Sequence, residues 1–265
     1  MRKVLLSFAL LVAVLVTGCG GTSTPSPAAG KPETPKGVVD KVKQTKVFTV
    51  GTDATFKPFE FKVDGKYSGF DIELIEAVAK ELGATKVEYV DTEFKGLIPG
   101  LLAKKFDLIV SAMYITDERK KTIDFSDTYF PGGLSIMLKK GNASIQGVKD
   151  LNGKKVAVQI GTKSAKYLEE PQFKEIKLVK VETNNDMFME LETGKVDAVV
   201  TGLPAAKTYS KEKGTTKVLS ATLTEEYYGY GMRKDDQDLV KAVNEALKKV
   251  KADGTYDKLV KKWFE

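Results

Sequence analysis

The sequence predicts an α/β protein made of two similar lobes, and three observations carry that expectation. Short β-branched runs alternate with helix-period runs from Lys46 onward. A β-α-β-α-β order, the mark of a sheet with parallel neighbours, occurs twice. Two strand ends also resemble each other: FDLIVSAM at 106–113 and VDAVVTGL at 196–203, which set Asp107 opposite Asp197.

In the first unit, VFTVGT (47–52) reads as a buried strand. DIELIEAVAKEL (71–82) places Ile72, Ile75, Val78, Ala79 and Leu82 on one helical face, and Gly83 stops it. KVEYV (86–90) is the next strand, 96–104 a short helix and FDLIVSA (106–112) a strand. The second unit repeats the order: strand KKVAVQIG (154–161), a helix from Ser164, strand IKLVKVE (176–182), a helix over 185–192 and strand VDAVVTG (196–202). Residues 238–251 are amphipathic through Leu239, Val243, Leu247 and Val250. A last helix over 255–264, with Leu259, Val260, Trp263 and Phe264, is expected to pack back onto one lobe.

The first 45 residues read differently. Arg2 and Lys3 precede a short apolar run from Val4 to Val16, too short to cross a bilayer with margin. A short N-terminal anchor helix is the competing reading. Val16-Thr17-Gly18-Cys19 resembles the bacterial lipobox, which implies a signal peptide over 1–18 and a lipid on Cys19. Residues 20–37 are rich in Gly, Ser, Thr and Pro and cannot bury enough apolar surface to fold. The segment 19–45 is therefore expected to be the lipidated cysteine and a flexible tether. The address this implies is the extracytoplasmic face of a cell membrane, held by lipid.

Composition removes several chemistries. The chain has no His, so Ser-His-Asp and Cys-His catalysis and His-ligated metal sites are excluded. Its single Cys excludes an intrachain disulfide. The 42 basic and 36 acidic residues give +6, spread along the chain without an arginine-rich patch, so no nucleic-acid partner is expected. No cofactor and no metal are expected.

The most informative segment is ITDERKKTIDFSD (115–127). Thr116 can cap a helix whose first turn holds Asp117 and Glu118, placing Arg119 beside free backbone N–H groups. A guanidinium there suits a carboxylate, through its bidentate fork. From these residues alone, a surface salt bridge is the favoured reading of Arg119.

The span from Val47 to Phe264 resembles the polar-amino-acid binding proteins of ABC importers (bacterial extracellular solute-binding proteins, family 3), the glutamine-binding proteins in particular. The matching stretches are GTDATFKPFEF, GFDIELIEAVAKEL, FKGLIPGL, ITDERKKTIDFSD, the Gly-Thr pair at 161–162 and GTYDKLVKKWF. The resemblance implies a two-lobed periplasmic-binding-protein-like fold with two hinge crossovers, at 129–133 and 224–228. One lobe would comprise 46–128 with 229–265, and the other 134–223. It also implies a monomer that binds an amino-acid-like ligand by hinge closure and serves a permease and an ATPase.

Residue by residue, the resemblance assigns Arg119 to the ligand α-carboxylate and Asp53 to a polar or cationic ligand side chain. Phe56 and Phe94 would sandwich the ligand, and Ser111 and Ala112 would offer strand-end backbone. Thr162 and Lys163 fall in the second lobe's strand-to-helix turn, with Thr201 and Gly202 at the next strand end. Core packing for the two Phe residues and a solvated surface for Lys163 are the alternatives that their types allow.

Two positions depart from the family pattern. Gly202 stands where an Asp usually meets the ligand ammonium, with Glu225 and Glu226 as candidate replacements. Tyr114 stands where a small Ser or Thr is usual, and with Phe56 and Phe94 it could surround a cation. Four readings follow. The first is a binder of a polar or basic amino acid, glutamine-like or arginine/lysine-like. The second keeps the fold with a modified amino acid or an ectoine-like solute as cargo. The third is a dehydratase acting on prephenate or arogenate, which would ask Glu60 or Glu93 to serve as the buried acid, though nothing in the sequence places either near a reacting proton. The fourth is an adhesive lipoprotein. The expectation is a binding protein and not an enzyme.

Overall fold

Two five-stranded sheets of the same strand order organise the chain. The computed structural model describes residues 36–265. The expected signal peptide (1–18), Cys19 and most of the tether lie outside the described residues. The first sheet runs Lys86–Asp91, Val47–Thr52, Leu108–Ile109, Gly231–Met232, Asp124–Phe125. The second runs Lys177–Val181, Lys155–Gln159, Ala198–Gly202, Leu134–Lys139, Thr216–Val218. In each, the first three strands are parallel and the fourth place is taken by an antiparallel strand.

That fourth strand explains how the lobes are joined. The chain leaves the first lobe along Phe130–Pro131 and enters the second sheet as Leu134–Lys139. It returns along Tyr227–Tyr228 and enters the first sheet as Gly231–Met232. The two passages pair antiparallel, Tyr228 with Phe130 and Tyr227 with Pro131. The internal repeat extends to single bonds: Asp107 N–H donates to Thr49 O and Asp197 N–H to Lys155 O, both at 2.8 Å.

Parallel neighbours need a crossover helix, and Phe70–Glu81 supplies one. It buries Phe70, Ile72, Leu74, Ile75, Val78 and Ala79, the expected face widened by Phe70 and Leu74. The C-terminal pair, Gln237–Ala252 and Thr255–Phe264, covers the same lobe. Phe264 also reaches the crossing, with its ring 4.4 Å from Phe130 and 5.2 Å from Phe59.

Two expectations are corrected. The tether does not extend to residue 45, because Val38–Thr45 is a helix. Its Val38 and Val42, one turn apart, are buried with the core. Lys41 Nζ donates to both oxygens of Asp107, at 3.1 and 2.9 Å. The strand expected over 106–112 shrinks to Leu108–Ile109. Ala112 adopts φ 38°, a left-handed conformation unusual for a residue with a Cβ, and the chain turns out of the sheet before it.

Candidate ligand-binding cleft

The strand ends of both sheets converge on a narrow interlobe cavity that is partly open to solvent. Ten of the eleven expected ligand-contacting residues line it: Asp53, Phe56, Phe94, Ser111, Ala112, Tyr114, Thr162, Lys163, Thr201 and Gly202. Leu134, Gln159, Ser164, Asn184 and Tyr228 join them without having been anticipated, as does Glu60, which had been weighed only as a catalytic acid.

Arg119 stands apart from this lining. Thr116 Oγ1 accepts from Arg119 N–H at 3.2 Å, the expected cap. Its guanidinium serves two backbone carbonyls, Tyr114 O at 2.8 Å and Gly161 O of the other lobe at 3.1 Å. It also lies over the Phe94 ring, 5.3 Å from the centroid. Burial lowers its pKa to about 10. With Thr162 and Lys163 it lines the adjoining cleft. Gly161 can approach because it has no side chain: φ is +78°, and a Cβ there would lie 3.1 Å from the Lys95 backbone.

The opposite end is acidic. Asp53 Oδ1 accepts from Thr55 Oγ1 at 2.8 Å, and Oδ2 accepts from Gln159 Nε2 of the other lobe at 2.5 Å. Gln159 is itself held by Asn184, whose Nδ2 donates to Oε1 at 2.9 Å. Ser111 Oγ accepts from Asp53 N–H at 3.1 Å and donates to Glu60 Oε1 at 3.0 Å. Behind them, Asp71 Oδ2 accepts from Ala112 N–H at 2.9 Å, so the strained turn at Ala112 aims its amide at a carboxylate. Burial raises the pKa of Asp53, against the lowering effect of its Thr55 and Gln159 bonds.

Aromatic rings close the remaining side. Tyr114 and Tyr228 lie with centroids 4.5 Å apart, and Tyr228 O–H donates to Tyr114 Oη at 3.1 Å. Tyr114 O–H donates to Gly133 O at 3.1 Å, and burial pushes its pKa up to about 12. These rings account for Gly202. A Cβ there would lie 2.6 Å from Tyr228 Oη, 3.2 Å from Tyr114 Oη and 3.2 Å from Phe56. Tyr228, with Tyr114 and Phe56, leaves no room for a side chain at 202.

Neither expected replacement lines the cavity. Glu226 pairs with Lys163 at 3.4 Å and lines a different cleft, and Glu225 is exposed. Glu93 is also exposed and pairs with Lys95 at 3.1 Å. Among the described residues no group of His, Cys, Asp and Glu is arranged to hold a metal.

Comparison with known proteins agrees with this architecture. Residues 48–265 match the family model of bacterial extracellular solute-binding proteins, family 3. A probable histidine-binding protein of Campylobacter jejuni is 35% identical over 269 residues, covering 99% of each chain. An ancestral arginine-binding protein bound to arginine is 44% identical with a TM-score of 0.79, covering 83% of this chain and 99% of that one. An ancestral amino acid-binding protein, described as a precursor of cyclohexadienyl dehydratase, is 45% identical with a TM-score of 0.81, covering 86% and 99%.

The steric account of Gly202 is testable. Gly202→Asp is expected to destabilise the fold by about 1–3 kcal/mol through overpacking. Adding Tyr228→Phe, which removes the oxygen the new Cβ meets, should recover part of that loss. Denaturant melts of both variants check this, and equal losses would remove the steric link.

Proposed function

Because the chain belongs to the bacterial extracellular solute-binding proteins of family 3, we propose that it captures an α-amino acid with a polar or cationic side chain by closing its two lobes. The cargo then passes to an ABC permease driven by its ATPase. The chain is a solute-binding protein and not an enzyme, in keeping with its relatives. The observation that carries the cargo class is the polarity of the cavity. Asp53 and Glu60 line one side and Thr162 and Lys163 another, with aromatic rings among them, and Arg119 flanks Thr162 and Lys163 from the adjoining cleft. A zwitterion with a polar tail can lie only one way in such a field.

In this reading the ligand carboxylate meets the Arg119 guanidinium, which has five donors and gives only part of them to Tyr114 O and Gly161 O. The ligand side chain meets Asp53 and Gln159. The α-ammonium, without an Asp at 202, rests against the rings of Tyr114, Tyr228 and Phe56, at about 0.5–2 kcal/mol per cation–π contact. Ligand binding favours the closed state because Gln159, Thr162 and Lys163 reach it from the second lobe only there.

A second reading keeps the fold and changes the cargo to a modified amino acid or an ectoine-like solute. Gly202 and its aromatic surroundings favour it, since rings suit an ammonium that cannot donate to a carboxylate.

The lipid on Cys19 completes the proposal. No helix among the described residues is long and apolar enough to cross a membrane. A lipid with two or three chains would supply the anchorage, at about 0.8 kcal/mol per buried CH₂. A monomer is the proposed state.

Thermal-shift screening of residues 36–265 tests the cargo. The panel holds the common amino acids, betaines, ectoine and N-modified amino acids. A true ligand at about a hundred times its Kd should stabilise the fold by about 2.7 kcal/mol. Arginine, lysine or glutamine is expected to shift the melt; shifts confined to modified or cyclic solutes would favour the second reading, and a flat panel would defeat both. For the anchor, Cys19→Ser should move the full chain from the membrane fraction to the soluble fraction. Unchanged partitioning would contradict lipidation at Cys19.

A further inference from the structure

Position 202 faces two phenols and a phenylalanine. A Cβ there would meet Tyr228 Oη first, at 2.6 Å, then Tyr114 Oη and the Phe56 ring, each at 3.2 Å, and none of these is an acid. Gly202 and all three side chains line the cavity. Tyr228 belongs to the strand Tyr227–Tyr228 of the returning passage and is fully buried.

Only one arrangement of the two phenol hydrogens satisfies both, and Gly133 fixes it. The Gly133 carbonyl oxygen, which can only accept, takes the Tyr114 hydrogen at 3.1 Å. The Gly133 N–H, which can only donate, points back to Tyr114 Oη at 3.2 Å. Leu203 N–H donates to the same carbonyl at 2.8 Å and steadies it. Tyr114 Oη therefore receives the Tyr228 hydrogen, at 3.1 Å. Reversing that bond would leave a buried hydroxyl hydrogen without an acceptor. Burial raises the pKa of both phenols, Tyr114 to about 12 and Tyr228 well above its ordinary value, so both hydrogens are in place at neutral pH. Tyr228 Oη is left as an acceptor. Its hydrogen goes to Tyr114, and among the described residues no donor reaches it.

We propose that Tyr228 is a specificity-determining residue of the ligand site, its phenol oxygen accepting an N–H from the ligand α-ammonium in the space beside Gly202. The proposal rests on the reading of the cleft as an amino-acid site and deepens it, by stating how an ammonium is recognised there by a neutral oxygen. The rings of Phe56, Tyr114 and Tyr228 attract the positive charge without direction. The oxygen adds direction, because a hydrogen bond weakens steeply once it bends.

The two contributions select different ligands. A wall of rings sets no minimum on the hydrogens that the nitrogen carries, and it accommodates a quaternary ammonium as readily as a primary one. A fixed acceptor needs at least one N–H. Primary and N-monomethyl ammonium groups meet that condition, and a trimethylammonium does not. The oxygen therefore favours ordinary and singly N-substituted amino acids over betaines.

Isothermal titration of the protein with L-arginine, L-lysine and L-glutamine selects a parent ligand, whose Nα-methyl and Nα-trimethyl derivatives are titrated next. The Nα-methyl form should bind close to the parent. The Nα-trimethyl form should bind about ten- to a hundredfold more weakly, the scale of a hydrogen bond to a charged group. Tyr228→Phe keeps the ring and removes the acceptor. It should weaken the parent by a similar factor and the trimethyl form by less than about threefold, so that the gap between them closes. Circular dichroism establishes that the variant folds. A trimethyl form that binds the native chain as tightly as the parent overturns the proposal and leaves the ammonium to the rings alone. A gap that persists in Tyr228→Phe also overturns it, since the limit is then steric or the role of Tyr228 structural. Either result leaves the amino-acid reading intact. Failure of all three parent ligands to bind overturns that reading, and the proposal with it.

Discussion

A buried acidic floor without a basic partner is the constraint around which the cleft is organised. Asp53 sits at the end of the first strand with its carboxylate facing the other lobe, where the Gln159 amide meets it. Gln159 is braced by Asn184 and by Glu182 O, at 2.9 and 2.8 Å. These bonds make the satisfaction of the acid depend on a donor supplied by the second lobe. A buried carboxylate is tolerated only with such donors, so the interlobe geometry and the charge of the floor cannot change independently.

The crossing segments apply the same economy to shape. Tyr228 belongs to one passage, and Tyr114 bridges to it just before the cleft. Their closely packed, tilted rings bring this passage into the cavity wall, and Phe59, Phe130 and Phe264 continue the aromatic packing behind them. Gly202 is the small residue that makes room. A group placed near Gly202 therefore lies against Tyr228, which belongs to one of the two passages between the lobes.

Much of this was legible in the sequence because it was periodic. The helix Thr255–Phe264 and the strand Val47–Thr52 fall on the residues their patterns indicated, and Thr116 caps the short helix carrying Arg119. The helix Val38–Thr45 was hidden because its two buried valines follow a Pro- and Gly-rich stretch whose composition dominates any local average. The strand at Leu108–Ile109 was overextended because FDLIVSA is uniformly apolar, and nothing in that run marks the turn at Ala112. Gln159 and Asn184 were missed because a lone neutral polar residue at an element end has no period. The available signal for Gln159 was a single amide closing the apolar run VAVQ. Glu60, between two phenylalanines, offered a similar signal and was weighed only for catalysis, since its carboxyl neighbours become adjacent only in three dimensions.

The central claim is that a charge on the ligand side chain is recognised by the acidic floor through Asp53. The affinities of L-arginine and L-citrulline, its neutral isostere, measured with the native chain and with Asp53→Asn, test it most directly. The account predicts that the native chain prefers arginine by at least about tenfold, the scale of a hydrogen bond to a charged group at roughly 1.5–3 kcal/mol, and that Asp53→Asn removes most of that preference. An arginine-to-citrulline ratio that is the same in both proteins would contradict it.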